Sequence, residues 1–442
     1  MQPSGETMKR LNLVLLAPYV NRDDVGECWS TYQWVAGLSR QHDVTLLCQR
    51  RRDQSPIAPT LPETNVIEWQ DPPLLRRFER LDSMAKPGLV PYMIRARRWL
   101  KRRNNQGRPV DLVHQLSPLA MRYPSPALRT GIPYVIGPLA GSLPTPGGFE
   151  REMSRGPWYM RLRSLDRLRF ANDPLLRASY ANAECVIGVA PYVREQLRDI
   201  ELKRFEIASE TGVLDLQMPS VRSDTGALRL LFVGRVVRSK GLRDLIRGLK
   251  LAVDVNAVLD VVGEGNDMAA CVTEARSLGD RVKFHGKLPR ADLARFYASA
   301  DVFVFPSFRE PSGNVVLEAM SHGLPLVVAD NGGPGFAVDD SCGIRVPVAS
   351  PEQFAHQIAE AIRKMRDPQL RKRLGDASYA KTVQRFHWGT KIAWMCSLYE
   401  SILDEMRTRS LATPAQNPCA GGCINGWSLG AVDATATGIY RT

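Results

Sequence analysis

At 442 residues, 44% apolar and 24% charged, the chain has the composition of a globular protein and is too long for one core, so two domains are expected. It contains no apolar run of about eighteen residues, which argues against a membrane-spanning helix, and the opening MQPSGETMKRLNLVLLAPYV lacks the layout of a secretory signal. A net charge of +13 calls for an anionic partner or a solvated basic face, and eight scattered cysteines in so large a chain predict reduced thiols in a cytoplasmic protein.

In chain order, LNLVLLAP, DVTLLCQ, DLVHQL, PYVIGPL and ECVIGVA are short apolar runs that alternate with amphipathic stretches. The pattern predicts parallel strands covered by helices, a first domain over 8–215. Between its first strand and helix, NRDDVGECWS carries Gly26. Residues 74–104 hold ten basic and two acidic side chains among Leu, Phe, Met, Ile and Trp, and WYMRLRSLDRLRF at 158–170 repeats the mixture. Nucleic acid, an anionic bilayer and plain solvent all suit such segments. Neither a helix-turn-helix nor a ribonucleoprotein motif accompanies them, which argues against nucleic acid. IGPLAGSLPTP, 136–146, is a shaped loop that fits either acceptor entry or a structural role.

LDLQMPSVRSDTGA has no apolar period and predicts a linker at 216–227. The pattern then starts again with LRLLFVG, AVLDVVG, RVKFHG, DVFVFPS, LPLVVAD and GIRVP, a second doubly wound domain over 228–387. From Trp388, the residues Ile392, Met395, Cys396, Tyr399, Ile402 and Leu403 recur at helical spacing, predicting a helix over 388–408 that packs on the first domain. The small-residue, Gly-rich 409–442 is expected to be a disordered tail. Cys419 and Cys423 within it lack a second ligand pair, so no zinc site is expected.

Ligands of open α/β sheets lie at the carboxyl ends of strands, so the loops after strands carry the candidate chemistry, in a cleft between the two halves. LFVGRVVRSKG places Gly234, Arg235 and Lys240 at one strand end, a fork and a point charge suited to a diphosphate. It is not a Walker A loop, because Lys240 precedes the second glycine. DVVGEGND offers Gly263 and Gly265 for close backbone approach to a nucleotide but lacks the third glycine of a dinucleotide fingerprint.

In REPSGNVVLEAMSHG, a helix is expected to start after Ser312 or Gly313, with Ser312 as N-cap and Gly323 as the stop. Its free N–H groups favour a phosphate. Glu310 lies before that terminus and Glu318 inside the helix, so the two carboxylates flank the anion site and can accept hydrogen bonds from sugar hydroxyls. From pattern alone, a pair of surface glutamates fits equally well.

GRVVRSKG, VVGEGND, VKFHGKLPRADLARFYASADVFVFPS, the pair Glu310 and Glu318 eight apart, and GLPLVVADNGG, together spanning roughly 228–388, resemble the nucleotide-sugar domain of the retaining family-4 glycosyltransferases of the GT-B fold. The resemblance implies two Rossmann-like domains facing across a cleft. It implies transfer of a sugar from a UDP- or GDP-type donor with retention, with no cofactor and no essential metal. Arg235 and Lys240 match the basic pair on the donor diphosphate, and Glu310 the glutamate that holds the donor sugar. Gly313, Asn314 and Val315 match the turn at the phosphates and sugar, Glu318 the ribose glutamate, and Lys287 with Leu288 the backbone at the base.

On the acceptor side, TGVLD at 211–215 is similar to the family's N-G-V-D passage, and Gly26 stands where many members have a glycine pair. DLVHQLSP resembles a D-x-x-H passage in which Leu116 replaces a second histidine, leaving His114 as either a structural strand residue or a catalytic contact. The expected acceptor is lipid-linked or a surface polysaccharide such as lipopolysaccharide or exopolysaccharide. Segments 74–104 and 158–170 would then hold the enzyme at the inner face of a bacterial cell membrane. A soluble sugar or sugar-phosphate acceptor, or a nucleotide-sugar-binding or isomerising protein of the same fold, are the alternatives.

Overall fold

The computed structural model describes residues 9–51, 54–71, 88–107, 109–153, 165–217 and 226–412. The first sheet comprises β1 (Asn12–Leu16), β2 (Asp43–Arg50), β3 (Thr64–Gln70), β4 (Leu112–Gln115), β5 (Tyr134–Leu139), β6 (Cys185–Gly188) and β7 (Phe205–Ile207), in the order β3-β2-β1-β4-β5-β6-β7. The second comprises β8 (Leu228–Val233), β9 (Ala257–Val262), β10 (Val282–Phe284), β11 (Val302–Phe305), β12 (Leu326–Ala329) and β13 (Gly343–Val346), in the order β10-β9-β8-β11-β12-β13. Every strand pair is parallel. The central strands are buried along nearly their whole length because helices cover both faces, which is why they read as unbroken apolar runs. In each sheet the order reverses beside the first strand, at β1/β4 and β8/β11, and that crevice opens at the strands' carboxyl ends.

Two strands have no such signature. β3, TNVIEWQ, is a half-exposed edge, and β7, FEI, is three residues long, so neither shows a continuous apolar run.

Two connections tie the halves together. The final helix, Trp388–Ala412, returns to the first domain, where Ile392 packs so tightly on Gly37 that a Cβ there would overlap it at 2.5 Å. Trp388 meets Trp34 edge-on at 5.1 Å, and Val213 bridges in parallel to His387. The second connection runs the other way. After β5, the turn Gly147–Phe149 buries Phe149 in the second domain's core, stacked on Phe308 at 4.1 Å and edge-on to Phe354 at 5.8 Å. Arg238 lies over Phe149 and Phe308 and pairs with Asp244 and with Glu152. Gly148 is required there because a side chain would collide with the Ala349 carbonyl.

Residues 72–87 and 154–164, which hold much of the two basic segments, lie outside the described residues, as do 218–225 of the expected linker and the tail from 413 with Cys419 and Cys423. Among the described residues, no helix is long and apolar enough to cross a membrane.

Candidate functional site

The loop after β8 places Arg235 on the surface and turns through Arg238–Lys240 to Gly241. Gly241 has φ 73°, and a Cβ would collide with the Pro306 carbonyl at the end of β11, so the turn is pressed against the neighbouring strand's loop. That packing sinks Lys240 until its ammonium lies 5.4 Å from the centre of the Phe305 ring and forms an ion pair with Glu310. Burial, and then the charge of Arg235, pull the Lys240 pKa down to about 8.

Gly263 and Gly265 also serve close approach, though the partner is protein. A Cβ at Gly263 would collide with the Gly234 carbonyl and one at Gly265 with that of Val236. The loops after β8 and β9 are thereby locked together, with Val236 N–H donating to Glu264 O at 2.8 Å and Gly263 N–H to Gly286 O at 2.8 Å.

Glu310 stands on a turn that is itself backed by glycines. Gly333 N–H donates to Glu310 O at 3.0 Å, and Asn331 Nδ2 to Phe308 O at 2.7 Å. Side chains at Gly332 and Gly333 would strike the carbonyls of Glu310 and Ser312. The helix Asn314–Ser321 begins after Gly313, whose φ of 82° needs no Cβ. Ser312 does not cap this helix, as the sequence had suggested; Gly313 stands at the N-cap position, and no side chain caps the helix. In the helix's first turn the Asn314 Oδ1 is buried without a hydrogen-bond partner, while Val315 packs partly buried on the second core.

Glu318 lies in the second turn of that helix. Its carboxylate accepts from the Tyr297 hydroxyl at 3.0 Å and from Arg290 at 3.4 Å. Arg290 in turn stacks over Trp29 of the first domain, 4.9 Å from the ring centre. Lys287 is exposed on the loop before this helix pair, and Leu288 packs against the second core.

Arg235, Lys240, Glu310, Gly313 and Asn314 therefore belong to one cluster of loops at the carboxyl ends of β8 and β11, with Glu318 farther along the helix. His114 and Gly26 stand apart from it. His114, in β4, has no exposed surface; its Nε2–H must donate to the Gly137 carbonyl at 2.7 Å, so Nδ1 accepts from the Tyr399 hydroxyl at 2.5 Å. Burial lowers its pKa to about 4. Gly26 precedes the helix Glu27–Ser39 at φ 68° with nothing within 4 Å of where a Cβ would sit. Arg290 and Tyr297 lie within the stretch GKLPRADLARFY without being singled out there, and Trp29 of the first domain reaches Arg290 only through the fold.

Two family models match the chain in tandem: "Glycosyl transferase 4-like domain" over residues 28–208 and "Glycosyl transferases group 1" over 215–381. Among curated relatives, the lipopolysaccharide core biosynthesis glycosyltransferase LpsE of Rhizobium meliloti is 29% identical over 224 residues, 49% of this chain and 64% of that protein. A GDP-mannose-dependent alpha-mannosyltransferase of Mycobacterium tuberculosis is 29% identical over 296 residues, 65% of this chain and 72% of that protein. The match to LpsE thus spans just under two thirds of its length. Among solved structures, a sucrose-phosphate synthase from Thermosynechococcus elongatus superposes with a TM-score of 0.61 at 21% identity, covering 90% of this chain and all of that one, which is a likeness of fold. With both halves matched in order and two parallel Rossmann-like sheets joined as described, the chain belongs to the family-4 glycosyltransferases of the GT-B fold.

Proposed function

We propose that the protein transfers a sugar, with retention at the anomeric carbon, from a UDP- or GDP-type nucleotide sugar to a lipid-linked or surface-polysaccharide acceptor. The observation that carries this reading is the cluster of Arg235, Lys240, Glu310 and the Asn314 helix N-terminus on adjoining strand ends. The diphosphate takes the two cations and the helix N–H groups, and these stabilise the charge that develops on it as the sugar leaves. Glu310 accepts from hydroxyls of the sugar, and Glu318, farther along the helix, from those of the ribose. The buried, unpartnered Asn314 Oδ1 supplies a further acceptor within this turn. No metal is assigned a part in the step, so transfer is expected to survive a chelator.

For the acceptor, the support is the exposed face of the helix Leu89–Asn105. Val90 and Ile94, 57% and 45% exposed, stand one turn apart beside exposed Arg95, Arg98, Lys101 and Arg102. That mixture suits an anionic bilayer at the cytoplasmic face, where lipid-linked acceptors sit. The relatedness to a lipopolysaccharide core enzyme agrees with this reading.

A thermal-shift panel of UDP, GDP and ADP identifies the donor's nucleotide, since a native-state ligand raises apparent stability. Labelled transfer into organic-extractable product supports the lipid acceptor, and aqueous product supports a soluble one. Failure of all three nucleotides to stabilise the protein overturns the donor site.

A further inference from the structure

Residues 140–146, which follow β5, have no part in the donor contacts proposed above, yet they run from the first domain to the turn that carries Glu310. Their start is fixed in the first domain. Ala140 bridges to Ala120 and its N–H donates to the Leu119 carbonyl at 2.8 Å, while Gly141 N–H donates to the Tyr192 hydroxyl at 3.2 Å. Their end is fixed in the second domain, where the next turn buries Phe149 against Phe308, two residues before Glu310. The stretch between is a strap drawn across the cleft beside the donor turn.

Two contacts press the strap on that turn. Arg309, the neighbour of Glu310, donates from Nη1 to the Thr145 hydroxyl at 3.2 Å. Leu143, only 8% exposed, lies so close to Gly332 that a Cβ there would meet Leu143 Cδ2 at 2.7 Å as well as the Glu310 carbonyl. Pro144 and Pro146 flank Thr145 and restrict the chain on either side of it, and Ser142 holds φ 53°, a conformation that costs a serine free energy. A leucine fixed in this way offers a sugar no hydrogen bond; what it offers is the exclusion of water.

We propose that residues 140–146 shield the donor sugar from water, with Leu143 as the apolar cover and the Thr145–Arg309 bond holding that cover against the Glu310 turn. Both are positioning residues that favour the acceptor over water. In transfer, the bond from the anomeric carbon to the diphosphate breaks and a bond to an acceptor oxygen forms. Where water enters instead, its oxygen bonds the anomeric carbon, its proton passes to the released nucleoside diphosphate or to solvent, and free sugar results. Closing a site against that side reaction is a recognised use of an apolar wall. The proposal rests on the reading of Glu310 as the donor-sugar residue.

The test compares Leu143→Ala, Thr145→Val and Thr145→Ser in the full chain, with UDP-glucose, UDP-galactose and GDP-mannose as donors and no acceptor present. Valine resembles threonine in shape but cannot accept from Arg309, so Thr145→Val keeps the test valid if Leu143→Ala folds poorly; serine retains the hydroxyl. Release of free sugar is expected to rise about fivefold or more in Leu143→Ala and Thr145→Val, and to stay within about twofold of wild type in Thr145→Ser. UDP or GDP affinity should stay within about threefold in all three, since the strap touches none of the groups assigned to the nucleotide. Loss of structure alone would lower turnover or affinity and would not raise hydrolysis. Unchanged or slower hydrolysis in either variant that folds, or an equal rise in Thr145→Ser, overturns the proposal. If the wild type binds neither UDP nor GDP, it is the donor reading that fails, and the strap loses its role with it.

Discussion

Lys240 and Glu310, on loops that follow two different strands of the second sheet, form an ion pair at the carboxyl ends of β8 and β11. The pair joins the group proposed for the diphosphate to the group proposed for the sugar, so a bound donor must exchange this contact for its own. Burial, aided by Arg235, already brings the Lys240 pKa down to about 8. The charged amine is the form that binds a diphosphate. Affinity for UDP or GDP should therefore be full below pH 8 and fall above it, by up to about tenfold per pH unit if only the charged form binds. Titration calorimetry from pH 6.5 to 9.5 checks this, and Lys240→Arg, which stays charged, should flatten the profile.

The two glutamates should separate on mutation. Glu318 is at present shared between Tyr297 and Arg290, so its carboxylate is oriented before any ligand arrives. Glu318→Ala should weaken the free nucleotide by about 10- to 100-fold, the worth of a hydrogen-bonded charge. Glu310→Ala should leave nucleotide binding near wild type and reduce transfer by at least tenfold. Equal loss of nucleotide binding in both variants would refute that division.

His114 should govern acid stability rather than chemistry. Its imidazole donates from Nε2 and accepts at Nδ1, so a second proton would set Nδ1–H against the bond it accepts from Tyr399. The folded pKa is depressed from 6.5 to about 4, so its contribution is present above pH 6.5 and is lost as the pH falls towards 4, in total about 3 kcal/mol. Urea titrations at pH 7 and pH 4 measure it. His114→Gln, which can still donate and accept, should lose most of this pH dependence and retain transfer.

Phe149 should carry much of the docking between domains. It is fully buried among Phe308, Phe354 and the Arg238 guanidinium, although it belongs to the first domain's chain. Phe149→Ala should cost about 3–5 kcal/mol. Scanning calorimetry should then resolve two unfolding transitions where the wild type shows one, because each sheet retains its own core.

Most of the strand plan could be read from the letters. The six strands of the second sheet and five of the seven of the first were placed from the letters, the central ones because parallel strands covered on both faces are apolar along most of their length and the edge strands β10 and β13 because their short runs follow in the same alternating pattern. β3 escapes because an edge strand keeps one side wet, and β7 because three residues show no period. At the site, the glycines at 234, 263, 265 and 313 were legible as places of close approach or tight turning, but not what approaches them. For Gly263 and Gly265 it is another loop's carbonyl, a fact of tertiary packing. Ser312 reads as an N-cap because local capping is what its residue type favours; Gly313 takes that position instead, in a left-handed conformation and without a side-chain cap.

What the sequence by itself determined is whatever depends on near neighbours along the chain: the apolar period of each strand, the glycine at each tight turn, the order of motifs that marks the family, and the spacing of Glu310 and Glu318. The tertiary structure alone decided which distant side chains meet: Lys240 with Glu310, Arg290 and Tyr297 with Glu318, and Tyr399 with His114. These contacts join segments whose separation along the chain carries no periodic signal: the first two form only once the second domain has folded, and the last only once the final helix has returned to the first domain.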